Sequence, residues 1–309
     1  MRLALCAAAV AAPMLFLAAC DDFDFVGGPF DRYKEDFHLT YALSAGGRLS
    51  VENLNGAIEI SSWEKDSVEI NGTKYAASPQ ALKEIKIDDA SSPVVLQIHT
   101  IPPVGARNTG ARYSIRVPRR VQLDRIVSSN GGIRVDDVEG LANLRSSNGS
   151  IRVWRLKGTL EARTSNGGID AVNNTGDATL HTTNGGIKVE MNKGALDAST
   201  SNGGINARLL EPDASRPVRL ESSNGHIELA MDAVRDVRAN TSNSSIVVRM
   251  PSSANARVRA RTSNSPVTTD FDVLTRGTIG KHSLEGTLGS GGPLIDLTTS
   301  NGGIKLLKM

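Results

Sequence analysis

The chain has 309 residues, of which 39% are hydrophobic, 4% aromatic and 22% charged, with a formal net charge of +2. That balance supplies enough apolar surface for a buried core and argues against a disordered, highly charged chain. A net charge so near zero says little about partners, few aromatics argue against nucleic-acid binding, and two cysteines exclude a disulfide-stapled scaffold.

The N-terminus begins Met1-Arg2, continues through an apolar run from Leu3 to Phe16, and reaches Leu17-Ala18-Ala19-Cys20. This pattern predicts a secretory signal over residues 1–19, too short and wrongly flanked for a membrane span. The last four of these residues resemble the lipobox of bacterial lipoproteins. Cys20 is therefore expected to become an acylated N-terminus that anchors the exported chain to a membrane of the bacterial cell envelope. The site would be the periplasmic side of the inner membrane or the outer membrane. Multiple acyl chains hold where one does not, because each buried methylene contributes ~0.8 kcal/mol. Cys6 leaves with the signal, so no disulfide is expected in the exported chain. Residues 20–38 read as an acidic, aromatic tether with six acids and a Gly-Gly-Pro break. Its four phenylalanines and Tyr33 are expected to pack on the first coil, since the carboxylates would be repelled by anionic lipid.

Residues 39–127 hold strand patterns without a strict period. Arg48-Leu49-Ser50-Val51 leads to Asn55-Gly56 and then to Ile58 and Ile60, one early coil of the later type. Ser67-Val68-Glu69-Ile70 and Val94-Val95-Leu96-Gln97-Ile98 alternate as strands do. Pro79 to Ile85 predicts a short helix opened by proline, and Tyr113-Ser114-Ile115-Arg116-Val117-Pro118 a strand ended by proline.

From residue 128 to 309 the chain is a repeat. Ser-Asn-Gly-Gly-Ile or a close variant places asparagines at Asn130, Asn148, Asn166, Asn184 and Asn202, each step being 18 residues. Asn224, Asn243 and Asn264 follow at looser steps of 22, 19 and 21 residues, and Asn301 closes the series. Such a period marks units that bury their cores only against their neighbours. Counted from the asparagine, positions +3 and +5 are apolar (Ile133/Val135, Ile151/Val153), and so are −6 and −4 (Ala142/Leu144, Leu160/Ala162). Each repeat thus holds two short strands, separated by Gly140, Gly158, Gly176 or Gly194. The loop Glu211 to Pro217 accounts for the 22-residue step. A final repeat from Thr299 to the C-terminus reads as a capping coil, with Lys305 and Lys308 guarding an open edge.

Asn-Gly between alternating strands is a hairpin signal and would give an antiparallel meander. The same pattern suits an all-β parallel β-solenoid of about 18–22-residue coils with Asn-Gly turns. The order of large and small residues favours the solenoid. Ala-Leu, Leu-Ala, Ala-Leu, Leu-Ala is complementary only if equivalent strands of consecutive repeats touch. Stacked coils would also align the asparagine amides in a ladder.

The early Asn-Gly-x-Ile coil, the Tyr-x-Ile-x-Val-Pro strand, the Ser-Asn-Gly-Gly-Ile repeats and the closing Leu284-Glu285-Gly286-Thr287-Leu288-Gly289 stretch together resemble the adhesin family called domain of unknown function 4097. The likeness runs from Leu39 to Met309. It implies a right-handed β-solenoid outside the cytoplasm, and it brings no catalytic residues.

Charge is unevenly spread. Residues 107–163 carry twelve bases against five acids. Arg134 and Arg152 share position +4, and Arg145 and Arg163 share position −3, with Trp154 and Arg155 beside them. With adjacent coils ~4.8 Å apart, like charges repel unless something anionic lies across them. Two readings stay open: a surface for an anionic glycan, lipid headgroup or envelope protein, and a solvated face with local counterions. Catalysis on acidic polysaccharide would need two carboxylates at a defined separation. The best pair, Asp170 and Glu190, lies on different coils at different positions. The five histidines show no metal-ligand spacing, and no cofactor or metal is expected. The sequence thus describes a lipid-anchored, non-enzymatic envelope solenoid acting as an adhesin-like binding or scaffold module. The alternatives are a solenoid enzyme on acidic polysaccharide and an envelope-stress signalling accessory.

Overall fold

The computed structural model describes residues 32–105, 108–275 and 280–309. The expected signal, Cys20 and most of the tether lie outside them. In the regular middle, each coil runs a short strand, turns at Asn-Gly, runs a second strand and returns through a glycine. Ala142–Ser146, Leu160–Arg163, Ala178–Thr182 and Leu196–Thr200 stack in a back sheet. Ile151–Trp154, Ile169–Thr175, Ile187–Gly194 and Ile205–Pro212 stack in a front sheet. Among the described residues the back sheet has 14 strands and the front sheet 13. One continuous apolar core lies between them.

The strands of successive coils pair in parallel, so the fold is the solenoid and not the meander. Ala142 faces Leu160, which faces Ala178, which faces Leu196; Leu144, Ala162, Leu180 and Ala198 form the complementary column. A leucine beside an alanine at every step keeps the layer at interior packing density without overlap. In the front sheet Ile58, Ile133, Ile151, Ile169, Ile187, Ile205, Ile227, Ile246 and Ile304 form an unbroken column.

In the regular middle of the stack glycine is favoured at the turns for two different reasons. After each asparagine the chain passes directly over the turn below: a Cβ on Gly149 would lie 2.1 Å from the carbonyl oxygen of Gly131, and one on Gly167 2.1 Å from that of Gly149. At the second turn Gly140, Gly158, Gly176 and Gly194 have φ between 121° and 148°, a region side chains rarely adopt.

The two ends depart from this order. The early coil Arg48–Asn53 and Ile58–Trp63 is not outermost: its neighbours are the coil above it and the strands Val95–Ile101 and Gly110–Pro118. Beyond these, Tyr33–Ala42, Ser67–Ala76 and Lys86–Ser92 add antiparallel strands. The strand Tyr33–Ala42 therefore corrects the tether reading for residues 33–38, which are paired across their length with Ser67–Ala76. Phe37 does pack inward, lying over Gly72 with its ring 5.8 Å from that of Tyr113. Across the core end Tyr113 Oη and Thr100 Oγ1 are 2.6 Å apart, joining the sheets, and burial pushes the tyrosine pKa up to about 12. The expected helix forms at Pro79–Glu84, capped by the Ser78 side chain.

At the other end the last repeat corrects the sequence reading again. Leu294–Thr298 lies between Val237–Asn240 and Ala256–Arg261, and Ile304–Lys308 between Ile246–Met250 and Val267–Thr269. Lys305 pairs with Val247 and Thr268, so it guards no edge. The outer layer is the coil from Ala256, finished by the antiparallel Ser283–Leu288.

Candidate functional site

Four surfaces result from this architecture: two rows of turns and the outward sides of the two sheets. On the asparagine row, the side-chain amide of Asn148 donates to Asn130 Oδ1 at 2.6 Å, Asn166 to Asn148, Asn184 to Asn166 and Asn202 to Asn184, each at 2.7 Å. The ladder continues through Asn224 and Asn243 to Asn301, with Asn264 donating to Asn301 from outside, and begins at Asn55, which accepts from Asn130. Below it the buried Ser or Thr at position −2 stitches coils together. Thr164 Oγ1 donates to the Gly149 carbonyl at 2.9 Å and accepts from the Gly167 N–H at 3.3 Å. The asparagines are therefore structural, each satisfied by the next.

The arginines are not brought together. Arg134 and Arg152 point outward from the front sheet, whereas Arg145 and Arg163 point outward from the back sheet, with the core between. The Arg134 guanidinium sits 4.6 Å from the Trp154 ring centroid, so it covers one face of that indole. Arg155 occupies the turn with φ 55° and pairs with Asp136 at 2.6 Å. Arg145 and Arg163 share Glu161, at 3.6 and 3.0 Å, and Arg152 lies 3.7 Å from Asp170.

Part of the excess of bases over residues 107–163 is offset by acids from outside that stretch. Glu52 lies 2.7 Å from Arg125, Glu64 3.2 Å from Arg119 and Glu69 3.8 Å from Arg116. Arg119 also binds Asp137 at 2.8 Å, and this hydrogen bond raises its pKa further. The pair weighed for catalysis is likewise engaged by bases: Asp170 by Arg152, and Glu190 by Lys188 at 3.3 Å. Among the described residues no cluster of three or more His, Cys, Asp or Glu could hold a metal ion.

Sequence reasoning passed over one further site. The inserted loop 211–217 folds back on the second row of turns. Arg216 binds Asp177, two coils below, and reaches Asp213 at 3.6 Å. The Asp177 pKa is lowered, first by the Ala195 N–H at 3.0 Å and then by Arg216; that of Asp213 is lowered by the Ser215 N–H and hydroxyl. Between this loop and the glycine column lies a cavity of 760 Å³. The 22-residue step was its one signal in the sequence.

The sequence profile of the Toastrack DUF4097 family matches residues 40–216, while no curated protein matches the chain. Among solved structures, a candidate adhesin from Parabacteroides distasonis is 10% identical, with a TM-score of 0.50, over 89% of this chain and 97% of that one. A candidate adhesin from Bacteroides fragilis is 12% identical, with a TM-score of 0.41, over 89% and 97%. A candidate cell-adhesion protein from Clostridium sporogenes is 10% identical, with a TM-score of 0.22, over 89% and 100%. At such identities the Parabacteroides likeness concerns the fold alone.

Proposed function

The chain belongs to the Toastrack DUF4097 family, and from that premise we propose that it is a lipid-anchored, non-enzymatic module of the bacterial cell envelope that binds a surface or partner in the manner of an adhesin. The observation that carries this reading is the pair of long outward faces on one rigid core. Each is a ladder of in-register side chains, and the carboxylates Glu161, Asp170 and Glu190 on them are engaged by neighbouring bases. Such faces present area and pattern, and their engaged carboxylates are poorly placed for acid–base work. The adhesin description of the Parabacteroides protein agrees with it. Acylation of Cys20 would hold the N-terminal end of the solenoid at a membrane and leave both faces free for an anionic glycan, a lipid headgroup or an envelope protein.

Two measurements test this. Labelling with a fatty-acid analogue should mark the wild type and not Cys20→Ser; equal labelling would remove the anchor. Binding to anionic polymers should then be compared for Arg134→Gln/Arg152→Gln on the front face and Arg145→Gln/Arg163→Gln on the back face. Only the face that binds should lose affinity and salt dependence, because screening acts over ~8–10 Å. Unchanged, equally salt-sensitive binding in both variants would return the arginines to solvated surface.

A further inference from the structure

The asparagine row carries more hydrogen-bonding groups than the fold uses. Two columns of hydroxyls run along it, at positions −2 and −1. In six successive coils the first column is Ser146, Thr164, Thr182, Thr200, Ser222 and Thr241, all buried. Each donates to a glycine carbonyl of the coil below at 2.8–3.1 Å. The second column is Ser147, Ser165, Thr183, Ser201, Ser223 and Ser242, which lie exposed or, at Ser201, half-exposed. Among the described residues none of these six hydroxyls has a hydrogen-bond partner. One column is wholly spent on the fold and its neighbour not at all.

Turn chemistry accounts for the first column and not for the second. Serine is favoured in turns because its hydroxyl bonds nearby backbone, and these hydroxyls bond none. A solvent-facing position without that duty ordinarily admits lysine or glutamate, which keep a surface soluble. Yet from −2 to +2 the ten coils joined by the asparagine ladder hold no Asp, Glu, Lys or Arg, in a chain that is 22% charged. Leu54, in the early coil, is the one break in the hydroxyl column. The asparagines beside it are only half used. At Asn148, Asn166 and Asn184 the ladder takes one N–H and one lone pair of each amide and leaves the second of each. In the regular coils the glycine that follows adds no side chain to cover them.

We propose that this row is a binding strip for a neutral polysaccharide laid along the solenoid axis. Its rungs repeat at ~4.8 Å, close to the rise of one pyranose ring along an extended, equatorially linked chain, so each coil offers an amide and a hydroxyl to one sugar. Sugar hydroxyls donate and accept at once, and they match groups that keep one donor and one acceptor free. The lack of charge disfavours a polyanion or an anionic membrane, both of which are held by Lys and Arg. The row also has no Phe, Tyr or Trp, and protein interfaces depend on aromatic and arginine anchors. Exposed neutral hydrogen bonds are individually weak, so affinity comes from many sugars held at once. The proposal rests on the binding-module reading only in taking the ligand to be a polymer, and it uses neither arginine face.

The test is calorimetric titration of the full chain with β-1,4-linked oligosaccharides of glucose and of N-acetylglucosamine of increasing length, with polygalacturonate as the anionic control. At least one neutral series should bind, with affinity that rises with length and does not change between low and high salt. Ser165→Ala/Thr183→Ala/Ser201→Ala should weaken the longest oligosaccharide at least about tenfold, as the loss of three weak hydrogen bonds implies. Its melting temperature should not move, because those hydroxyls hold nothing in the fold. Ser165→Thr/Ser201→Thr keeps the hydroxyls and should bind as wild type. An alanine variant that binds as wild type would overturn the proposal, as would neutral binding that falls with salt or is lost in the arginine-face variants. If Ser165→Glu/Ser201→Glu turns a dimer into a monomer while no oligosaccharide binds, the row is a self-association surface and the proposal fails. Polygalacturonate bound through the arginine faces, with no neutral binding, would overturn the strip and leave the binding-module reading standing; no binding of either polymer would remove both.

Discussion

The middle of the solenoid and its two ends obey different rules. Between residues 128 and 207, neighbours in sequence are neighbours in space. Each coil rests on the one 18 residues away, and every column is satisfied locally by the Ala/Leu exchange, the isoleucines and the asparagine ladder. At the ends the chain breaks that order. The early coil around Asn55 and the final coil around Asn301 are each inserted one place inward, between coils distant in sequence. A parallel stack left open would expose a row of unpaired backbone groups that invites further strands. Insertion, with antiparallel strands outside it, ends the stack with layers that no longer repeat. The middle is therefore extendable in principle, while the ends fix its length.

The largest effect should come from removing an inserted coil. Truncation after Gly292 deletes Ile295, Leu297, Ile304 and Leu306, all fully buried, and separates the coil at Ile246 from the layer at Ala256. At roughly 1.5–3 kcal/mol per buried side chain the loss is on the order of 6–12 kcal/mol, comparable with the whole stability of a domain. Circular dichroism should show no cooperative melting. A sharp transition near that of the wild type would mean that the ends add little.

Next come deletions within the middle. Removing residues 129–164, two repeats, keeps an alanine beside a leucine at the new junction, because Leu123 and Ile126 then meet Ala178 and Leu180. Removing 147–164, one repeat, sets Ala142 on Ala178 and Leu144 on Leu180. The shorter deletion should be the less stable protein in urea. The reverse order would show that the alternating columns do not set the stacking.

Single substitutions should resolve the same point more finely. Leu160→Ala leaves a cavity between Ala142 and Ala178 and should cost about 2–5 kcal/mol. Ala162→Leu crowds Leu144 and Leu180 and should cost roughly 1–3 kcal/mol. The double variant restores volume within its own coil and still stacks like on like, so it should remain clearly destabilised; a near-wild-type urea midpoint would contradict the observed columns.

The smallest effect concerns the latch of the inserted loop, the one place where the middle begins to look like an end. The Asp177 and Asp213 pKa values are held below the ordinary 3.8, so their contribution is present above that pH and is lost as pH falls through the lowered values. Arg216→Gln should be slightly less stable than wild type at neutral pH, and the gap should close on acidification below 3.8. A gap that persists in acid would assign Arg216 a packing role.

Much of the middle was legible because each of its signals is short-range. The 18-residue spacing, the Asn-Gly turns and the swap of alanine and leucine between Ala142/Leu144 and Leu160/Ala162 all act between adjacent coils, and the sequence by itself determined the solenoid and its ladder. Only the tertiary structure decided the rest. That Ile304 sits between Ile246 and Val267, that Phe37 belongs to a strand and not to a tether, and that Glu52, Glu64 and Glu69 neutralise arginines 73, 55 and 47 residues on are consequences of which distant strands the ends exchange. Charge counted along the chain sees none of this, because Coulomb pairing depends on distance in space. The division of Arg134 and Arg152 from Arg145 and Arg163 follows the same logic: consecutive strands of a coil face opposite ways, so bases close in sequence end on opposite sides of the core.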